Sequence, residues 1–234
     1  MIRVERRRLD NGLRIAVAPI AELRSVSVIL AIEAGQWFEP IGRNGIARLA
    51  AQTTLRGTTR RSGPAWADAI DALGAVARLD VGAHWAAFTS QSLTDDLDAL
   101  VDLIAEVIRM PALAPEDLDF VRQQTLAQFE RDERDTRAVV DRLWRELVYP
   151  KTHPFHAPPI GDASVVREAT VDEVREYHEG AIRPDGAVLV VAGSVTADRV
   201  EAAAARAFGD WRAPAIAPVR DVQDVALSAT ARRT

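Results

Sequence analysis

The side chains with the widest chemical range in this sequence are four histidines, His84, His153, His156 and His178, and no cysteine accompanies them. His153 and His156 stand three apart, a separation that metal ligands use. Pro154 lies between them, however, in a Pro-rich run over 150–162 that reads as a connection rather than a helix. His84 falls between two strand-like runs and His178 on an amphipathic helix, and both read as structural. The lack of cysteine excludes disulfides, thiolate metal sites and cysteine nucleophiles. No G-x-S-x-G, P-loop or G-x-G-x-x-G occurs, so nucleophile-elbow and nucleotide-binding readings have no support. Trp37, Trp66, Trp85, Trp144 and Trp211 are scattered and read as core packing.

Composition narrows the classes further. The 234 residues are 48% hydrophobic and 27% charged, enough apolar material for a sizeable core. Net charge is −5 and the pI is near 5.5, so no concentrated positive field is present to attract nucleic acid. No run of eighteen apolar residues occurs that would span a membrane as a helix. The opening MIRVERRRLD lacks the apolar stretch of a signal peptide. The expected compartment is the cytoplasm, or the periplasm where a leader has been removed.

The elements that must position any site read as strands, helices, then a strand and a helix. Ile2–Asp10 and Leu13–Pro19 flank Asn11-Gly12, a strong hairpin signal because both residues tolerate positive φ. Ser25–Ala34 is rich in β-branched residues and predicts a buried third strand. Asn44 can cap a helix to about Leu55, closed by Gly57, and a second helix covers 65–73. Ala75–Asp80 and Trp85–Ser90 read as a strand pair. Helices follow over 95–110, with Leu97, Leu100, Val101, Ile104 and Ile108 on one stripe, then over 115–133 and 136–148. Thr170-Val171-Asp172-Glu173 is a capping box, Gly186–Gly193 a central strand, and Thr196–Phe208 the last helix. This pattern predicts an α+β fold: a mixed, mostly antiparallel sheet covered by helices. Residues 1–212 form one domain, and 213–234 read as a linker or the start of a connection to a second domain.

Several motifs occur in order: LDNGLRIAVAP, IEAGQWFEP, NGIARLAAQTTLRGTTRRS, IDALGA and HPFHAPPIGD, followed by the capping box and GAVLVVAG. Over residues 9–211 the chain resembles the pitrilysin, insulinase and mitochondrial processing peptidase family, in its first half-domain. The resemblance implies an inverted His-x-x-Glu-His zinc motif on the first helix. There two His at i and i+4 bind Zn²⁺ from one face, and the Glu acts as base on a metal-bound water. Against that frame the first His position is Arg48, the base position Ala51 and the second His position Gln52. The third-ligand position falls on or near Gln128, with Glu130 two residues away. Arg48 is a permanent cation without a lone pair, Ala51 cannot accept a proton, and Gln52 and Gln128 are neutral amides. The expectation is therefore no zinc cofactor and no catalytic residue, with these side chains facing a cavity and Arg48 within reach of Glu130 or Glu133.

The resemblance further implies a non-catalytic half that pairs with a zinc-bearing homologous subunit or second half-domain and helps enclose a peptide. The peptide would lie against an edge strand around Ala77, Arg78, Leu79 and Asp80, by β-augmentation. Two alternatives differ in class: a structural core-type subunit with no role in proteolysis, and a zinc endopeptidase with unconventional ligands. No nucleic acid or membrane partner is expected.

Overall fold

Alternation of apolar and polar residues builds the sheet. The computed structural model describes residues 3–213. Its strands are β1 (Glu5–Arg8), β2 (Arg14–Pro19), β3 (Ser25–Ile32), β4 (Val76–Val81), β5 (Ala86–Leu93) and β6 (Ala187–Gly193). They form one sheet in the order β1-β2-β6-β3-β5-β4, antiparallel except where β6 inserts parallel to β2. On β3, Val26, Val28, Leu30 and Ile32 are buried while the residues between them face the opposite side. In register, Val28 faces Val191 and Leu30 faces both Leu189 and Phe88. Each such buried aliphatic side chain contributes about 1.5–3 kcal/mol relative to exposure.

The helices are α1 (Ile46–Thr54), α2 (Gly63–Ala72), α3 (Leu97–Arg109), α4 (Pro115–Asp132), α5 (Thr136–Val148), α6 (Ala163–Glu168), α7 (Val171–Ala181) and α8 (Ala197–Phe208). α8 packs on β2, α3 on β5, and α1 and α2 on β4, while α1 also contacts α4 and α7. The α+β class and mostly antiparallel sheet are as expected, and every residue of the predicted α3 stripe is buried. None of the described helices is long and apolar enough to cross a membrane.

Four expectations need correction. Asn44 does not cap α1: its side-chain amide donates to the Pro154 carbonyl (3.1 Å), and Gly45 takes the cap position at φ 107°. Gly57 does not close α1, which ends at Thr54; instead Gly57 bridges to Ser62. The short helix α6 follows directly on the Pro-rich connection, over residues to which the sequence reading assigned no element. Of the five tryptophans only Trp66 and Trp211 are core; Trp85 is 38% and Trp144 50% exposed. The linker expected from 213 onward falls, beyond Ala213, outside the described residues.

The start of α1 is fixed by the loop that leads into it. Glu39, 2% exposed, accepts hydrogen bonds through Oε1 from the Gly45 and Ala47 N–H groups (2.8 and 3.1 Å). A carboxylate there satisfies orphan donors and complements the helix dipole. The Pro-rich connection seals the same end. Gly161 (φ +93°) sits so close that an added Cβ would lie 2.3 Å from Gly45 Cα, and the Asp162 N–H donates to the Asn44 carbonyl. Glu39→Ala should cost about 2 kcal/mol, because two buried donors lose a charged acceptor. Urea denaturation of both proteins checks this; an unchanged midpoint would mean that water replaces the carboxylate without cost.

Candidate functional site

Of the nine residues of α1, only Arg48 and Gln52 escape burial. The other seven pack into the core, so the helix offers two side chains one turn apart. Opposite them, α4 buries Leu118, Val121 and Thr125 and leaves Gln124, Gln128 and Arg131 along one side. Arg48, Gln52, Gln124, Gln128 and Arg131 line a common cleft of about 400 Å³ between α1 and α4. The structure thus brings together three of the four positions expected from the sequence, and Gln128, not Glu130, is the α4 residue in the cleft. Ala51 is turned inward, 7% exposed, against Leu79, Tyr177 and His178.

The electrostatics are unbalanced. Arg48 makes no ion pair among the described residues, with Glu130 and Glu133 included, which corrects the expected pairing. Its Nε is buried without a hydrogen-bond partner. Arg131 donates through Nε and Nη2 to Gln128 Oε1 (3.2 and 2.6 Å), and Gln128 Nε2 donates to Asp132 Oδ1 (2.5 Å). No carboxylate is among the cleft-lining residues. Such a donor set does not fit zinc: guanidinium groups offer no lone pair, and neutral amides are poor ligands. Elsewhere among the described residues, no group of three or more His, Asp or Glu is placed to hold a metal.

β4 is an edge strand, and Gln52 joins the cleft to it. Gln52 Nε2 donates to the Leu79 carbonyl (3.1 Å), which therefore points off the sheet. Backbone groups alternate along an antiparallel ladder, so Ala77 shares that outward side, while Arg78 and Asp80 turn theirs toward β5. Of the four edge residues expected from the sequence, two present free-edge backbone groups, and Gln52 covers one of them.

The histidines serve the scaffold. His153 Nδ1 accepts from the Phe155 N–H (3.1 Å) and its ring stacks on Tyr149, while His156 Nδ1 lies 2.8 Å from the Tyr149 carbonyl. His178 is buried, with Nε2 3.0 Å from the Ile108 carbonyl. A carbonyl only accepts, so Nε2 carries the proton. Burial pushes this imidazole down to about 4, partly offset by that hydrogen bond. A second cavity lies between α4, α5 and the Pro-rich connection, with Glu146, His156 and Asp162 in its wall. Burial raises the Asp162 carboxyl there, opposed by the nearby His156.

Sequence reasoning missed Arg131 and Gln124 as cleft residues. The signal was present: both lie within one helical turn of Gln128 and share its face.

The profile of the insulinase family (peptidase family M16) matches residues 14–153, and that of the peptidase M16 inactive domain matches residues 168–232. An uncharacterized zinc protease of Mycobacterium leprae is 26% identical over 201 residues, covering 86% of this chain and 45% of that protein. Mitochondrial-processing peptidase subunit beta of Saccharomyces cerevisiae is 25% identical over 211 residues, covering 86% and 44%. A solved protease from Helicobacter pylori superposes with a TM-score of 0.84 at 18% identity, covering 97% of this chain and 54% of that one. The chain spans about half the length of the curated relatives it matches.

Proposed function

The chain belongs to the insulinase family (peptidase family M16), and on that premise we propose that it is a half whose metal site has been lost. It pairs with a zinc-bearing homologue and supplies a wall around that partner's peptide substrate. The observation that carries this reading is the cleft between α1 and α4. Arg48, Gln52 and Gln128 line it together, yet a guanidinium offers zinc no lone pair, the two amides are poor ligands, and Ala51 cannot act as a base, which supports this reading. The free edge of β4 beside the cleft supports a role in holding extended peptide through Ala77 and Leu79.

Mixing tests it. The chain alone should leave a quenched-fluorescence peptide uncut. The chain with a zinc-bearing homologue should cut it faster than the homologue alone, and a chelator should abolish that gain. Failure to associate with any zinc-bearing homologue, or no gain on mixing, would leave the structural-subunit reading in its place.

A further inference from the structure

The cleft is lined by cations and amides and by no strong metal ligand. Arg48 and Arg131 both line it, and among the described residues no lining residue is acidic and the buried Nε of Arg48 has no partner. A guanidinium remains charged at any physiological pH. Lining one cleft together, two such groups produce a positive field that favours an anion. The lining amides can add hydrogen bonds. Gln128 is oriented by its bonds to Arg131 and Asp132, and Gln52 Nε2 is occupied only by the edge carbonyl of Leu79.

We propose that this cleft binds a carboxylate, presented by an extended peptide paired to β4. The peptide part rests on the functional reading above; the carboxylate part rests on the cleft alone. A peptide N–H can take the place of the Gln52 amide on the Leu79 carbonyl. Gln52 Nε2 is then free to donate to the carboxylate, which Arg48 meets with its planar fork of donors. The Asp132 carboxylate, which accepts from Gln128, lines the neighbouring cavity and not this cleft.

The carboxylate can be the peptide's C-terminus or an acidic side chain, and three peptides of one neutral, extended sequence, each labelled at the N-terminus with an uncharged, carboxylate-free dye, separate these sources. One has a free C-terminus, one is amidated, and one is amidated with a single internal Glu. Fluorescence anisotropy with the full chain should give a Kd about tenfold lower for at least one carboxylate-bearing peptide than for the neutral amide. That preference should disappear in Arg48→Gln, shrink in Arg131→Gln, and weaken with added salt. Equal affinities for all three peptides would overturn the carboxylate site while leaving the edge-strand reading standing. If no peptide binds, sodium acetate is titrated while the arginine side-chain N–H resonances are followed. A saturable shift at Arg48 supports the carboxylate site and sinks the peptide reading, whereas no shift overturns the site. Inorganic phosphate competing more strongly than acetate would also overturn the carboxylate assignment.

Discussion

The fourfold variant Arg48→His/Ala51→Glu/Gln52→His/Gln128→Glu should bind one equivalent of zinc. The argument is geometric. Arg48 and Gln52 stand one turn apart as the two unburied positions of α1, and Gln128 lines the same cleft from α4. Two imidazoles and a carboxylate at those positions form a three-ligand set with an open fourth position, the arrangement of a catalytic zinc. Removing Arg48 also removes one of the two cations that line the cleft and would repel the metal. The α4 position decides the outcome. A control variant that keeps Gln128 and relies on the native Glu130 should bind zinc far more weakly, because Glu130 is exposed and outside the cleft. Elemental analysis and competition with a zinc-chelating dye measure both. Asp132 opposes the design, since it accepts from Gln128 in the native chain and would face the carboxylate introduced in its place. Equal zinc binding by the fourfold variant and its Gln128 control would mean that α4 does not supply the third ligand.

Stability should fall by about 3 kcal/mol as pH drops from 6.5 toward 4, through His178. The imidazole is buried beneath α1, and burial depresses it from 6.5 to about 4 in the folded chain. Between those values the unfolded chain takes up a proton that the folded chain refuses. The stabilising contribution is therefore complete above pH 6.5 and is lost as pH falls through the window. The carboxylates act elsewhere. Thr170, chiefly through its backbone N–H, depresses Glu173, and Arg206 with Arg199 depresses Asp98. Their contributions are present above the ordinary carboxylate range and disappear below it. Asp162, raised by burial, acts in the opposite sense. Urea denaturation across pH isolates the histidine when wild type is compared with His178→Gln, which keeps a donor for the Ile108 carbonyl and does not titrate. The variant should be flatter between pH 6.5 and 4; parallel curves would assign the acid sensitivity to other groups.

The parts of the fold that were legible in the sequence are those written in local pattern. The β-branched run of β3, the apolar stripe of α3 and the Thr170–Glu173 capping box each specify their element without distant partners. What could not be read depends on residues far apart in the chain. Asn44 is a good cap by type, but it donates to Pro154, 110 positions away, which leaves the first N–H groups of α1 to Glu39 at the start of the same loop. The ambiguity between Gln128 and Glu130 was a matter of helix phase. Only the burial of Leu118, Val121 and Thr125 fixes which side of α4 faces α1. Arg48 was expected to find a carboxylate, and the structure instead leaves its Nε without a partner. That unpaired cation is the feature most at odds with a metal site and the basis of the carboxylate proposal.

Zinc content of the wild-type chain bears most directly on the claim that this half lacks a catalytic metal. Purified without chelator and dialysed against zinc, the chain should retain no stoichiometric metal by elemental analysis. One equivalent of zinc per chain, lost on substituting Gln52 or Gln128 by Ala, would contradict it.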